Sequence, residues 1–209
     1  MLRRLLAIAL GVYAFGTAPC FAQGTWQAEA DRLVPLLKWH SGAVVAEIGA
    51  GKGQLTLAAS QRVGPSGRVY TTELDPQKFA HLQDLATQNK NIIAIKAAEA
   101  GTNLPPACCD SIFMRLVYHH LTKPDAIDAS LFRSLKPGGR LAIIDENPRK
   151  GTSIPEGVPK NRIGHGVPQE ILIHELTAAG FRVLVIENNW PSRDEYHDIY
   201  CVVFRKPKR

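Results

Sequence analysis

The sequence predicts an α/β fold, a mostly parallel sheet with helices on both faces and an antiparallel last strand. Three observations predict it. Short apolar runs alternate with amphipathic helical stretches at the interval that strand–helix–strand crossovers need. The first such run, Val44 to Ile48, passes into Gly49, Gly51 and Gly53 at alternate positions before a helical pattern starts. Two closing apolar runs near the carboxyl end are joined by a path short enough for antiparallel pairing.

Taken in order, Trp26 to Trp39 sets Ala30, Leu33, Val34, Leu36 and Leu37 at helical spacing, with Pro35 expected to bend the helix. The first strand runs to Glu47. Beyond Gly53 a helix turns Leu55, Leu57, Ala58 and Ala59 toward the sheet, until Gly64-Pro65-Ser66-Gly67 breaks it. Gly67 to Glu73 reads as the second strand. Pro76 then opens a helix with Phe79, Leu82 and Leu85 on one stripe, which Asn89-Lys90-Asn91 ends. Ile92 to Ile95 is the third strand, and Asp110 to Val117 the fourth. A helix from Asp125 to Leu135 leads through a Lys136-Pro137-Gly138-Gly139 turn to a fifth strand, Arg140 to Asp145. A helix from Gln169 to Ala179, capped by Gly180, precedes the closing strands Phe181 to Ile186 and Ile199 to Phe204.

The glycine turn is where chemistry enters. Glycines there remove Cβ atoms where the backbone bends and a ligand must lie close, and the helix start beyond them offers unpaired N–H groups. A nucleotide-like ligand suits that surface. A phosphate-cradling loop would need Ser or Thr after Gly-Lys, whereas Lys52 is followed by Gly53; this excludes the ATPase reading. The dinucleotide fingerprint would need a third glycine where Gln54 stands, which demotes a dinucleotide. About twenty residues beyond the turn, Glu73 closes the second strand, where a carboxylate can grip ribose hydroxyls.

Together these residues resemble the class I S-adenosylmethionine-dependent methyltransferases. The likeness rests on Glu47-x-Gly49-x-Gly51-x-Gly53, Glu73, Asp110-Ser111-Ile112-Phe113 and Leu135-Lys136-Pro137-Gly138-Gly139-Arg140-Leu141, and spans roughly residues 26 to 205. It implies a Rossmann-like seven-stranded sheet, S-adenosyl-L-methionine as methyl donor, no metal, and a small-molecule acceptor. In that reading Gly49, Ala50, Gly51 and Gly53 pass under the methionine portion, Glu47 fixes the turn or receives the amino group, and Glu73 with Leu74 takes the ribose side. Glu99 is the counterpart of an acid that receives the adenine amino group in relatives, and Arg115 joins the donor site. Tyr118, His119 and His120 end the fourth strand, facing the transferred methyl group. A double histidine there suggests a general base or a metal ligand. The metal reading is set aside because no third ligand stands at a metal-like spacing. The irregular stretch from Glu146 to Pro168 reads as a lid over the acceptor pocket, since an ordered domain seldom keeps so long a loop without use.

Composition bounds the rest. With 209 residues and 45% hydrophobic content, the chain suits one domain, residues 23–209, behind an amino-terminal segment, residues 1–22. That segment has a basic head (Arg3, Arg4), an apolar middle and Cys20 and Ala22 as small residues before a break, the build of a secretory signal peptide or an uncleaved anchor. It would place the domain in the periplasm or outside, at odds with a methyl donor made in the cytoplasm. Contact with a membrane is expected only through that segment. The net charge of +6 is terminal, being matched by Arg3 and Arg4 at one end and Arg205, Lys206, Lys208 and Arg209 at the other, so no nucleic-acid partner is expected. Without Cys20 the cysteines Cys108, Cys109 and Cys201 are odd in number and imply no disulfide framework. Two rivals remain: an exported protein that binds the donor without turnover, and a nicotinamide-linked oxidoreductase, which lacks its third glycine and its Tyr-x-x-x-Lys. Oligomeric state is left open.

Overall fold

The computed structural model describes residues 21–191 and 198–208. Most of the amino-terminal segment expected to act as a signal, residues 1–22, therefore lies outside the described residues. The elements alternate as the sequence reading requires: α1 (Phe21–Leu37), β1 (Val44–Ile48), α2 (Gln54–Val63), β2 (Arg68–Glu73), α3 (Pro76–Gln88), β3 (Ile92–Lys96), β4 (Cys109–Arg115), α4 (Pro124–Ser134), β5 (Leu135–Glu146), α5 (Gln169–Ala178), β6 (Arg182–Glu187) and β7 (Ile199–Arg205). The seven strands lie in the order β3-β2-β1-β4-β5-β7-β6. The first five run parallel, and β7 pairs antiparallel with both β5 and β6. Among the described residues no helix is long and apolar enough to cross a membrane.

Strand residues alternate between two cores, as a pleat covered on both faces demands. Val45, Phe113, Ala142, Ile144, Cys201 and Val203 pack with Leu33 of α1 and Leu55, Ala58 and Ala59 of α2. Their neighbours Ala46, Ile112, Met114, Leu141, Ile143, Val202 and Phe204 pack with Ile127 and Leu131 of α4 and Leu172 and Leu176 of α5. Full burial of a side chain the size of Phe113 contributes about 1.5–3 kcal/mol, so these two stripes hold the scaffold. Local signals set the helix starts. The Asp75 carboxylate accepts from the N–H groups of Gln77 and Lys78 at 2.9 Å each, and Pro76 supplies the first helical position of α3.

Two expectations are corrected. The Lys136 to Gly139 turn lies inside β5: Cys109 pairs with Leu135 and Ser111 with Arg140, so the intervening residues bulge out of one continuous strand. A Cβ on Gly139 would lie 2.9 Å from the Lys136 carbonyl oxygen, which is why the bulge needs glycine there. And β4 stops at Arg115, not Val117. Leu116 takes a left-handed φ of 54°, and Tyr118–His120 forms a 3₁₀ turn, which re-aims all three candidate catalytic side chains.

Candidate donor and acceptor site

A cavity of about 430 Å³ opens at the carboxyl ends of β1, β2 and β4, where parallel sheets receive ligands. The glycine turn forms one wall. Gly51 has a φ of 57°, and a Cβ there would meet nothing within 4 Å, so its bare face looks into open space. Gly49 and Gly51 line the cavity, and Gly49 is held close beneath Val117, 2.7 Å from where a Cβ would stand. Gly53 does different work: a Cβ there would strike Leu82 and Leu85, so this glycine lets α3 pack on the start of α2. It does not line the cavity, and neither do Ala50 and Glu47.

Glu73, mostly buried at the end of β2, lines the cavity and accepts the Gly51 N–H at 2.9 Å. Its other oxygen accepts from the N–H groups of Leu74 and Asp75 at 2.8 and 3.2 Å. Three donors leave the carboxylate one acceptor site for a ligand hydroxyl. Leu74, half exposed, offers an apolar face next to it. Glu99 also lines the cavity but is 66% exposed, 3.4 Å from Lys123. Arg115 lines it while ion-paired to Glu29 of α1 at 2.9 and 3.0 Å, and the Trp190 indole donates to the same Glu29. Glu29 and Trp190 carry no motif and escaped the sequence reading.

Glu47 faces inward, not toward ligand. Its carboxyl accepts from the Thr56 hydroxyl on α2, tying the turn from beneath, and burial pushes it up to about 8. Of its two expected roles, fixing the turn is the one that the bond to Thr56 supports.

The three candidate catalytic residues separate. Tyr118 is fully buried; its hydroxyl donates to Asp128 at 2.8 Å or to Glu175 at 3.0 Å, between α4 and α5. It is a core residue, because the left-handed turn at Leu116 swings it beneath the sheet end. His120 lines the cavity. Burial, then the neighbouring His119 and His165, push its pKa down to about 4, so it is a neutral nitrogen at pH 7 and a weaker base than the sequence reading assumed. His119 is 3% exposed, and its Nδ1 lies 2.5 Å from Asp145 on β5. Asp145 also receives the backbone N–H groups of His119 and Glu146 at 3.2 and 2.8 Å. A carboxylate so placed accepts from Nδ1–H, which leaves the Nε2 lone pair pointing elsewhere.

The residue 147–168 loop does not line the cavity. It is tied down: Arg162, fully buried, forks onto Glu175 at 2.8 and 2.9 Å, and Tyr200 donates to the Val167 carbonyl. Its contribution is His165, whose ring centroid comes within 4.7 Å of His119 and 5.1 Å of His120. The premise that no third ligand accompanies the two histidines is therefore corrected, the partner being supplied in space from 45 residues along the chain.

Comparison with known proteins agrees with this architecture. A family described as a methyltransferase domain matches residues 46–143, from β1 through most of β5. The ubiquinone/menaquinone biosynthesis C-methyltransferase UbiE of Bordetella avium is 29% identical over 105 residues, half of this chain and 41% of that protein. The match thus spans less than half the length of such a relative. A SAM-dependent methyltransferase structure from Aquifex aeolicus superposes with a TM-score of 0.67 at 23% identity, covering 85% of this chain and 89% of that one. The [4+2]-cyclase SpnF superposes at 0.69 with 20% identity, covering 87% and 80%. The fold is thus that of the S-adenosylmethionine-dependent methyltransferases.

Proposed function

We propose that this protein transfers the methyl group of S-adenosylmethionine to a small-molecule acceptor. The observation that carries the reading is the junction of Gly51 and Glu73. A bare backbone wall, a carboxylate with one acceptor site left, and the apolar Leu74 stand side by side at the sheet's ligand end. Methionine, ribose and adenine portions need those three surfaces in that sequence. The matching methyltransferase domain over residues 46–143 supports the same donor.

A sulfonium is already an activated leaving group, so the protein's task is to hold donor and acceptor in line and exclude water. Glu73 and the glycine turn fix the donor. Val117 and Leu121 give the β4 end an apolar lining, and His120 brings a neutral nitrogen to that side. The acceptor enters there, one strand across from Glu73, because β1 separates β2 from β4 in the sheet.

Titration of the full chain with S-adenosylmethionine, followed by assay of S-adenosylhomocysteine release with phenolic and amine acceptors, tests this. One-to-one binding with acceptor-dependent release is expected. Absence of binding refutes the reading, and binding with no release for any acceptor favours the ligand-binding rival. For location we propose the periplasm or exterior, on the strength of Arg3, Arg4 and the apolar run before Ala22. Amino-terminal sequencing of the protein from its native host should start near Gln23; full-length protein in the cytosol would overturn it.

A further inference from the structure

We infer that His119, His120 and His165 form a binding site for one divalent transition-metal ion of the zinc type, beside the donor cavity. One ring nitrogen from each of the three lies within 4.8 Å of the other two. Imidazole is a preferred ligand of zinc, and three such ligands with a free position make the usual reactive arrangement. Nitrogens held at about 2.0–2.1 Å from one ion lie roughly 3.4 Å apart, so closure needs a movement of about an ångström. His120 and His165 are the two more exposed rings of the three.

Ring stacking alone would explain the centroid spacings, but it leaves one atom unexplained. His119 Nε2 is buried and has no hydrogen-bond partner among the described residues, although folded proteins pair nearly all their buried polar atoms. Asp145 fixes the opposite nitrogen as the protonated one, which keeps the Nε2 lone pair free. This carboxylate–histidine pairing is how proteins orient an imidazole toward a metal. His165 has a carboxylate neighbour too: its Nδ1 is 3.1 Å from Glu146, whose side chain is fully buried, and 3.0 Å from Arg149. The fully buried carboxylates of Asp145 and Glu146 stand directly against His119 and His165, with the Arg149 guanidinium at His165 and the Lys78 ammonium acting on His120 as the opposing charges.

The loop is built to bring His165 there. Arg149 donates its backbone N–H to the His165 carbonyl at 3.1 Å, the His165 N–H goes to the Thr152 hydroxyl at 2.9 Å, and Val167 pairs with Glu146 at 2.9 Å. Gly166 has a φ of 125°, and a Cβ there would press to 2.8 Å from the Asn147 backbone. That glycine lets the two chain segments close on each other with the histidine between them. Because His120 also lines the donor cavity, a bound ion would stand at its acceptor side.

The test uses the untagged full chain, stripped with chelator and dialysed against zinc chloride, with bound metal counted by mass spectrometry. About one zinc per chain is expected, and His165→Ala and His120→Ala should each weaken binding at least tenfold, as loss of one of three ligands requires. Cys108→Ser should bind zinc like the wild type. No zinc above background, or undiminished binding in both histidine variants, would overturn the site, as would loss in Cys108→Ser alone. Titrating S-adenosylmethionine into His165→Ala keeps the two claims apart: retained donor binding with lost zinc supports the metal site, and a chain that binds zinc but no donor keeps this site while refuting methyl transfer.

Discussion

The two halves of the ligand crevice are built by different means. The proposed donor side, at the ends of β1 and β2, is made of backbone: the turn through Gly49 and Gly51, and one carboxylate, Glu73, which accepts the Gly51 N–H from 22 residues away. The proposed acceptor side, at the end of β4, borders a cluster of side chains from three separate segments, His119 and His120, Asp145 and Glu146, and His165, of which His120 lines the cavity. A backbone site leaves a local spacing that any sequence with the same geometry must show. A site assembled from distant side chains leaves none, which frees it to vary with the acceptor.

If that contrast holds, damage to the backbone wall should be far more severe than damage anywhere else. Gly51→Val places a branched side chain in the cavity at a φ of 57°, and should abolish S-adenosylmethionine binding in calorimetry while circular dichroism still shows a folded chain. Next comes Glu73→Ala, which removes a charged acceptor from three N–H donors and the ligand. It should weaken donor binding by about 1–3 kcal/mol, roughly 5- to 150-fold; unchanged affinity in a folded variant would detach Glu73 from the donor site.

Tyr118→Phe sharpens the comparison from the other side. The hydroxyl bonded to Asp128 and Glu175 is lost, so thermal denaturation should show a loss of about 1–3 kcal/mol in stability, with donor affinity unchanged. A Tyr118→Phe enzyme of normal stability but lowered turnover would return the residue to the active site. A pH-dependent effect on stability, separate from ligand binding, concerns Glu47. Burial raises its folded pKa to about 8 from 4.5, so between those values the folded state holds a proton that the unfolded state has released. Stability should therefore fall as pH rises from about 4.5 to 8, and Glu47→Gln should flatten that slope. An identical pH–stability curve in the variant would contradict the assignment.

The same contrast explains what the sequence could and could not show. The succession of strands and helices and the glycine turn with Glu73 beyond it were legible because each rests on local periodicity or spacing, whereas the order of strands in the sheet and the division into two cores emerge only from the three-dimensional structure. Gly53 was misassigned because a glycine required by helix packing looks, in sequence, like a glycine required by a ligand. Tyr118 was misassigned because one left-handed residue, Leu116, reverses which side chain faces the crevice, and no composition signal marks it. His165 was read only as part of a lid, since its approach depends on the Arg149 and Thr152 contacts of a loop without periodicity. Asp145 and Glu146 look like an ordinary strand end until the sheet places them beside the histidines.

In the proposed complex the donor lies on the Gly51–Glu73 wall with its methyl group toward the β4 end. Ultraviolet cross-linking of methyl-labelled S-adenosylmethionine to the full chain, followed by peptide mapping, tests it most directly. Label is expected in peptides covering residues 48–53, 73–78 or 115–122, displaced by excess S-adenosylhomocysteine. Label that settles on the separate cavity lined by Asp125, Phe132 and His174, or that S-adenosylhomocysteine fails to displace, would contradict it.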